Sequence, residues 1–407
     1  MSTQTRINYL FISVTLLYAI FTGLFKFRGV YYIELFLMII AYIVTSTQIN
    51  CFKIVFRNKM ISIWLLWVIY TYIVWKIQGI TFMDNELFFK VNAFLLPIST
   101  MFFVYIEACK NMKRTTLLLL GVETIFVVLG IMLQSQGSGP GTGWQARGGT
   151  DLGNALPLNA VVMAFFTLWA YIKGYIKRRY LIVFLALSLM GIFFTSTRKA
   201  LGAWSIGIIF FSLTLFDYHK PSNLFKLIGL VIVAYIAYQL MMNYTMMGQR
   251  FNEVDSSAEW AMREYKDVWW LKPLGDRALH YILAWELFVQ HPIFGIGLNN
   301  FQYFTDFPVP IHSEYMVQLC ECGIIGFSLY VLFNYNLIRR IFKFKKAFSN
   351  NEGLILLSAI SGTLFLSLTA WFYDTPYIFA QYGIIVAAVS STDFSKVGII
   401  RKQKLNK

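Results

Sequence analysis

The sequence predicts an all-α, polytopic membrane protein, and three observations carry that prediction. Apolar runs of about 17 to 20 residues recur along the 407-residue chain, each long enough to cross a bilayer core of roughly 30 Å. Only 14% of the residues are charged against 57% hydrophobic, and the mean hydropathy is +0.59, whereas a soluble chain carries about a quarter charged residues. The Lys and Arg residues lie mostly in short connectors between the apolar runs. The net charge of +15 therefore reads as membrane topology, and nucleic acid is not expected as a partner.

About twelve spans are predicted, at residues 8–24, 30–47, 60–75, 91–108, 115–133, 154–172, 180–196, 199–216, 226–243, 313–338, 353–371 and 376–392. No A-x-A-like cleavage site follows the first run, so it is expected to be retained as a span. With the N-terminus inside, 23 of the 35 basic residues face the cytoplasm, and five of the remaining 12 sit in one long external loop. Both termini are then cytoplasmic. Residues 1–243 hold spans one to nine, 244–312 form an extracytoplasmic loop or cap, 313–392 hold spans ten to twelve, and 393–407 form a basic cytoplasmic tail. Cys51 and Cys109 fall on the reducing side. Cys320 and Cys322 point in directions about 200° apart on a helix, which suits small apolar fillers better than a bridge or a metal site.

Three external segments depart from simple connectors. The stretch QSQGSGPGTGWQARGGTDLG, 134–153, lacks apolar periodicity and is a loop; Trp144 and Arg147 are its candidates for closing over a site. FTSTRKALGAW, 194–204, is a tight turn in which Ser196 or Thr197 can cap the next helix, with Arg198 in its first turn. Helix-start amides beside an arginine attract phosphate, although the helix dipole disfavours a cation there; an arginine reaching lipid headgroups is the other reading. The third is the long loop at 244–312, in which acids outnumber bases. Within it Ala278, Ile282, Trp285 and Val289 recur at helical spacing, predicting an amphipathic helix on or beside the membrane. Trp269 and Trp270 suit an interfacial belt, Pro292 ends the helix, and Gly295 and Gly297 let the chain turn.

HSEYMVQLCECGIIGF, 312–327, opens the tenth predicted span with ionisable groups. On a continuous helix His312, Leu319, Gly323 and Gly326 share one side, while Glu314, Gln318 and Glu321 form a polar stripe about 60° wide. The glycines permit close helix packing, and the stripe must face protein or a wet cavity. From the residues alone, His312 reads equally as a structural or a functional group.

In this order the motifs TSTRKALGAW, RALHYILAWELFVQHPIFGIGLNNF and HSEYMVQLCECGIIGF, with a long external loop before the tenth of twelve spans, resemble the O-antigen ligase and O-antigen polymerase superfamily of membrane glycosyltransferases. The His-Ser followed by Gly-x-x-Gly is the most specific element. The resemblance implies a GT-C-like fold in a bacterial inner membrane, an extracytoplasmic active site, and a polyprenyl-diphosphate-linked oligosaccharide donor with a glycan acceptor. By position it implies that Arg198, Arg277 and His312 are the catalytic residues associated with the lipid diphosphate and with transfer. Glu314, Glu321, Gln318, Arg147 and Thr197 are the expected substrate-binding residues. A flippase and a chain-length regulator are the implied assembly partners. Phe307, Pro308 and Pro310 before His312 depart from the pattern, so the path into the histidine is peculiar to this chain.

The residues suit such chemistry. Diphosphate gains charge as it leaves, and guanidinium groups with helix-start amides stabilise it. A neutral histidine can take or orient the acceptor proton. With no acidic cluster at metal-ligand spacing, no metal or cofactor is expected. The leading reading is a polymerase of lipid-linked repeats, because the Phe-, Tyr-, Ile- and Lys-rich composition suits a low-GC genome in which capsule polymerases work without lipid cores. A ligase using the same donor is the alternative, and a flippase or transporter, which would show related halves, the lesser one. The topology is tested by reporter fusions. Those after Thr150 and Glu259 should report the extracytoplasmic side and one after Lys346 the cytoplasm; a cytoplasmic signal after Glu259 contradicts the architecture.

Overall fold

A computed structural model describes residues 58–77, 84–137, 152–195, 197–215, 277–305, 311–370, 372 and 375–390, with single helical positions at 40, 43 and 239. For 84–96, 134–137, 152–154 and 277 only the backbone is described. The expected spans at 8–24, 30–47 and 226–243, apart from those single positions, lie outside the described residues. So do Trp144, Arg147, Ser196, Trp269, Trp270 and the basic tail.

Among the described residues all regular structure is helical. Helix α1 (Lys59–Ile77) is apolar on every face, and the Asn58 side chain caps it by accepting from the Met60 amide at 3.2 Å. Helix α2 (Asp84–Gly137) is two helices joined end to end. Its break falls at Asn111 (φ −155°, ψ 89°), whose side chain accepts from the Arg114 amide at 3.0 Å and caps the second half. That break is the short basic connector expected between 91–108 and 115–133. Helices α3 (Leu152–Ile172), α4 (Arg178–Thr195) and α5 (Arg198–Leu215) follow. The described helices include five long and apolar enough to cross a membrane, counting Pro97–Leu133 of α2 as one.

Helix α3 is central, with 83% of its apolar window buried, whereas α4 and α5 have 28% and 22% buried. They turn Ile182, Val183 and Ile209 outward, which suits lipid contact. The remaining helices are α6 (Arg277–Gln290), α7 (Phe301–Phe304), α8 (Glu314–Cys320), α9 (Gly323–Ala347), α10 (Asn350–Leu366) and α11 (Pro376–Ser390). Helix α11 packs on α2, α10 on α5, α9 on α1, and α6 on α8. Trp64 of α1 joins three elements, with ring centroids 5.0 Å from Phe333 of α9 and 4.9 Å from Phe379 of α11. At the far end Ser349 caps α10, and Lys173 pairs with Glu352 at 3.1 Å, tying the α3–α4 connector to α10.

The stretch expected as one span at 313–338 is instead two helices, broken at Glu321 and Cys322. The cause is a backbone crossing. Gly323 adopts φ +63°, and a Cβ there would lie 2.3 Å from the Ile293 carbonyl oxygen. Gly295 adopts φ +73°, and its Cβ would lie 2.5 Å from the carbonyl of Glu321. Three backbone bonds seal the crossing: Ile296 N–H to Cys320 O at 3.1 Å, Gly297 N–H to Glu321 O at 2.9 Å, and Ile324 N–H to Pro292 O at 2.9 Å. Gly326, by contrast, has the expected packing role, since a Cβ there would lie 3.1 Å from the Tyr70 ring of α1.

This crossing predicts that Gly323→Ala destabilises strongly. The left-handed conformation alone costs about 1–2 kcal/mol for an L-residue, and the clash with fixed backbone adds to it. Gly207→Ala, whose Cβ would meet only Leu168 at 3.7 Å, should leave the melting temperature in detergent near wild type. Equal melting temperatures for the two variants would contradict the crossing.

Candidate active site

The C-terminal turn of α10 is where the three motif elements meet. A helix end leaves its last carbonyls without intrahelical partners, and here groups from elsewhere in the chain supply them. The Glu314 amide donates to Ser367 O and Ala370 O, both at 2.9 Å, and Ser313 Oγ donates to Ser367 O at 3.3 Å. Tyr315 Oη donates to Leu364 O at 2.9 Å. Tyr281 Oη, from α6, donates to Leu368 O. Lys199 Nζ, from the first turn of α5, donates to Thr369 O at 3.2 Å, a cation placed at the negative end of a helix dipole.

Each residue expected to be catalytic adjoins one of these anchors. Arg198 is exposed and precedes Lys199. Arg277 opens α6 one turn before Tyr281. His312 is partly buried and precedes Ser313, whose side chain caps α8 by accepting from the Met316 amide at 3.4 Å. Thr197 occupies the cap position of α5, where its carbonyl accepts from the Leu201 amide at 3.2 Å. Its hydroxyl turns back to Thr195, donating to the carbonyl at 3.3 Å and to Oγ1 at 3.1 Å.

The polar stripe of the 312–327 segment faces protein, and it divides. Glu314 and Gln318 form a buried relay: Trp67 Nε1 donates to Gln318 Oε1 at 2.7 Å, Gln318 Nε2 donates to Glu314 Oε1 at 2.8 Å, and the Phe372 amide donates to Glu314 Oε2 at 2.6 Å. Glu321, beyond the helix break, is equally buried. Its carboxylate accepts from the Asn299 amide at 2.6 Å and the Phe301 amide at 3.3 Å, at the start of α7. The two glutamates therefore hold backbone from opposite ends of α8. Charge-assisted bonds of this kind are the stronger class.

Two residues of this site escape a reading of the sequence. His280 is buried, and its ring lies 5.4 Å from that of His312 at 67°, edge to face, and 6.0 Å from Phe301. It stands three residues after Arg277, so helical spacing from that arginine was its one signal. Lys199 is the other, marked only by adjacency to Arg198. The apolar stripe expected on α6 is divided between buried and exposed positions. Ala278 is buried, but Trp285 and Val289 are exposed at 53% and 60%, and Ala284 and Leu287 pack inward with His280.

The chain's own groups thus set an exposed arginine at a helix start, a paired-histidine edge and the start of α6 around one turn. That arrangement can hold an anion and a proton acceptor side by side. No curated protein matches the chain. Residues 182–331 match the family described as O-Antigen ligase, a stretch running from α4 into α9 that contains Arg198, Arg277, His280 and His312. That segment of the chain is therefore similar to the O-antigen ligase family.

Proposed function

We propose that the protein is a glycosyltransferase that polymerises polyprenyl-diphosphate-linked oligosaccharide repeats on the extracytoplasmic face of a bacterial inner membrane. The observation that supports it best is the meeting of the Arg198, Arg277 and His312 elements at one helix end, inside the segment that matches the family. An acceptor hydroxyl attacks the anomeric carbon of the donor sugar. The new carbon–oxygen bond forms as the bond to diphosphate breaks, and polyprenyl diphosphate leaves with the bonding electrons. Arg198 and Arg277 stabilise the charge that develops on it. His312 takes the acceptor proton and returns it to solvent. His280 holds the His312 ring, and Glu314, Gln318 and Glu321 act as positioning residues through the backbone they bind. Thr197 shapes the start of α5, and Arg147 is assigned to substrate binding. A flippase supplies the donor, and a chain-length regulator acts on the product.

Ligation to a separate acceptor is the second reading, favoured by the description of the matching family. Purified protein given a defined polyprenyl-diphosphate oligosaccharide separates the two. A polymerase makes a ladder from that substrate alone, whereas a ligase makes product only when a separate acceptor is added. Failure to form any glycosidic bond under either condition contradicts both.

Arg198→Lys should lose most of the transfer activity although the charge is kept, because lysine lacks the planar two-pronged grip on phosphate. Wild-type turnover in that variant would mark Arg198 as a headgroup anchor. His312→Ala should lower turnover by about 10²- to 10⁴-fold while donor binding persists. His280→Phe should lower turnover less and also spare binding. An active, normally melting His312→Gln protein contradicts the histidine mechanism.

A further inference from the structure

Helix α9 carries a second feature far from the site. It runs 25 residues, about 37 Å, from the His312 end of the molecule to the other side. Its far half has two faces. Phe333, Leu337, Ile341 and Phe344 are buried against the bundle. The opposite face forms a groove of about 460 Å³ lined by Tyr335, Ile338, Arg339, Phe342, Lys343 and Lys346. These six recur at spacings of three and four, so they form one continuous stripe along the helix.

The chemistry of the stripe changes along its length. Tyr335 and Phe342 are more than half exposed, at 57% and 54%, and with Ile338 they offer an apolar track. Arg339, Lys343 and Lys346 form a row of cations that begins beside Ile338 and continues past Phe342, and no acid among the described residues lines the groove. Counted from Gly323, the three cations stand about 24 to 35 Å along the helix, a length comparable with a bilayer core roughly 30 Å thick. An apolar start that gives way to cations along one stripe matches an acyl chain below a phosphate. We propose that this groove is a binding site for one anionic phospholipid, drawn from the leaflet opposite the His312 end. The acyl chain lies along Tyr335, Ile338 and Phe342, and the phosphate is held by Arg339, Lys343 and Lys346.

Native mass spectrometry of the full-length protein tests this, in micelles carrying equimolar phosphatidylglycerol and phosphatidylcholine. The wild type should retain one phosphatidylglycerol in preference to phosphatidylcholine by about tenfold, the scale expected when several basic residues face one anionic headgroup. Lys343→Gln should weaken that preference, and Arg339→Gln with Lys343→Gln and Lys346→Gln together should abolish it. The matched control replaces the exposed cations Lys177, Arg178 and Arg179 with glutamine at the same membrane end. It should keep the wild-type preference. Equal retention of the two lipids by wild type overturns the proposal. So does an undiminished preference in the groove variants, or an equal loss in the control, which would reduce the effect to general surface charge.

Discussion

The hydrogen-bonding demand of one helix end organises this molecule. The carbonyls of Leu364, Ser367, Leu368, Thr369 and Ala370 are met by a tyrosine and a backbone amide of the 313–315 segment, a tyrosine of α6 and a lysine of α5. Leaving such groups bare near hydrocarbon costs several kcal/mol each, so the elements that satisfy them have little freedom to drift. Arg198, Arg277 and His312 inherit their positions from that arrangement. Each stands within four residues of an anchor. Elements distant in sequence are thereby delivered to one place.

A second constraint works beside the first. Gly295 and Gly323 cross at backbone contact, and Glu321 then takes the amides of Asn299 and Phe301. The crossing fixes how the chain leaves α6 and where Phe301 stands against His280. The Glu314 relay pins Phe372 on the other flank of α8. Helix α8 has only seven residues, yet both of its ends are held by carboxylates.

The fold was legible wherever hydropathy speaks. The ends of α1, α3, α4 and α5 lie close to the expected spans, and even the basic connector at Asn111 was marked by its charges. The direction of the polar stripe was legible too, since three polar groups on one side of an apolar helix must find protein. What escaped depends on contacts between distant residues. Nothing local announces that Gly323 meets Ile293, so 313–338 read as one helix. The break then moved Glu321 away from Glu314 and Gln318. Apart from its spacing from Arg277, His280 carries no local signal, because a lone histidine on an apolar helix has no partner until His312 is placed beside it. Lys199 was hidden by its more conspicuous neighbour. Its role requires the end of α10, which has no sequence signature.

The central claim is that the starts of α5 and α6 both rest on the last turn of α10. Thiol cross-linking in native membranes tests it without any knowledge of the substrate. The four native cysteines are replaced by alanine, and the pairs Lys199→Cys with Thr369→Cys and Tyr281→Cys with Leu368→Cys are treated with a short bifunctional reagent. Lys173→Cys with Glu352→Cys, an ion pair at the opposite end, serves as the positive control. The account predicts an intramolecular cross-link in all three. Cross-linking of the control pair alone would contradict it.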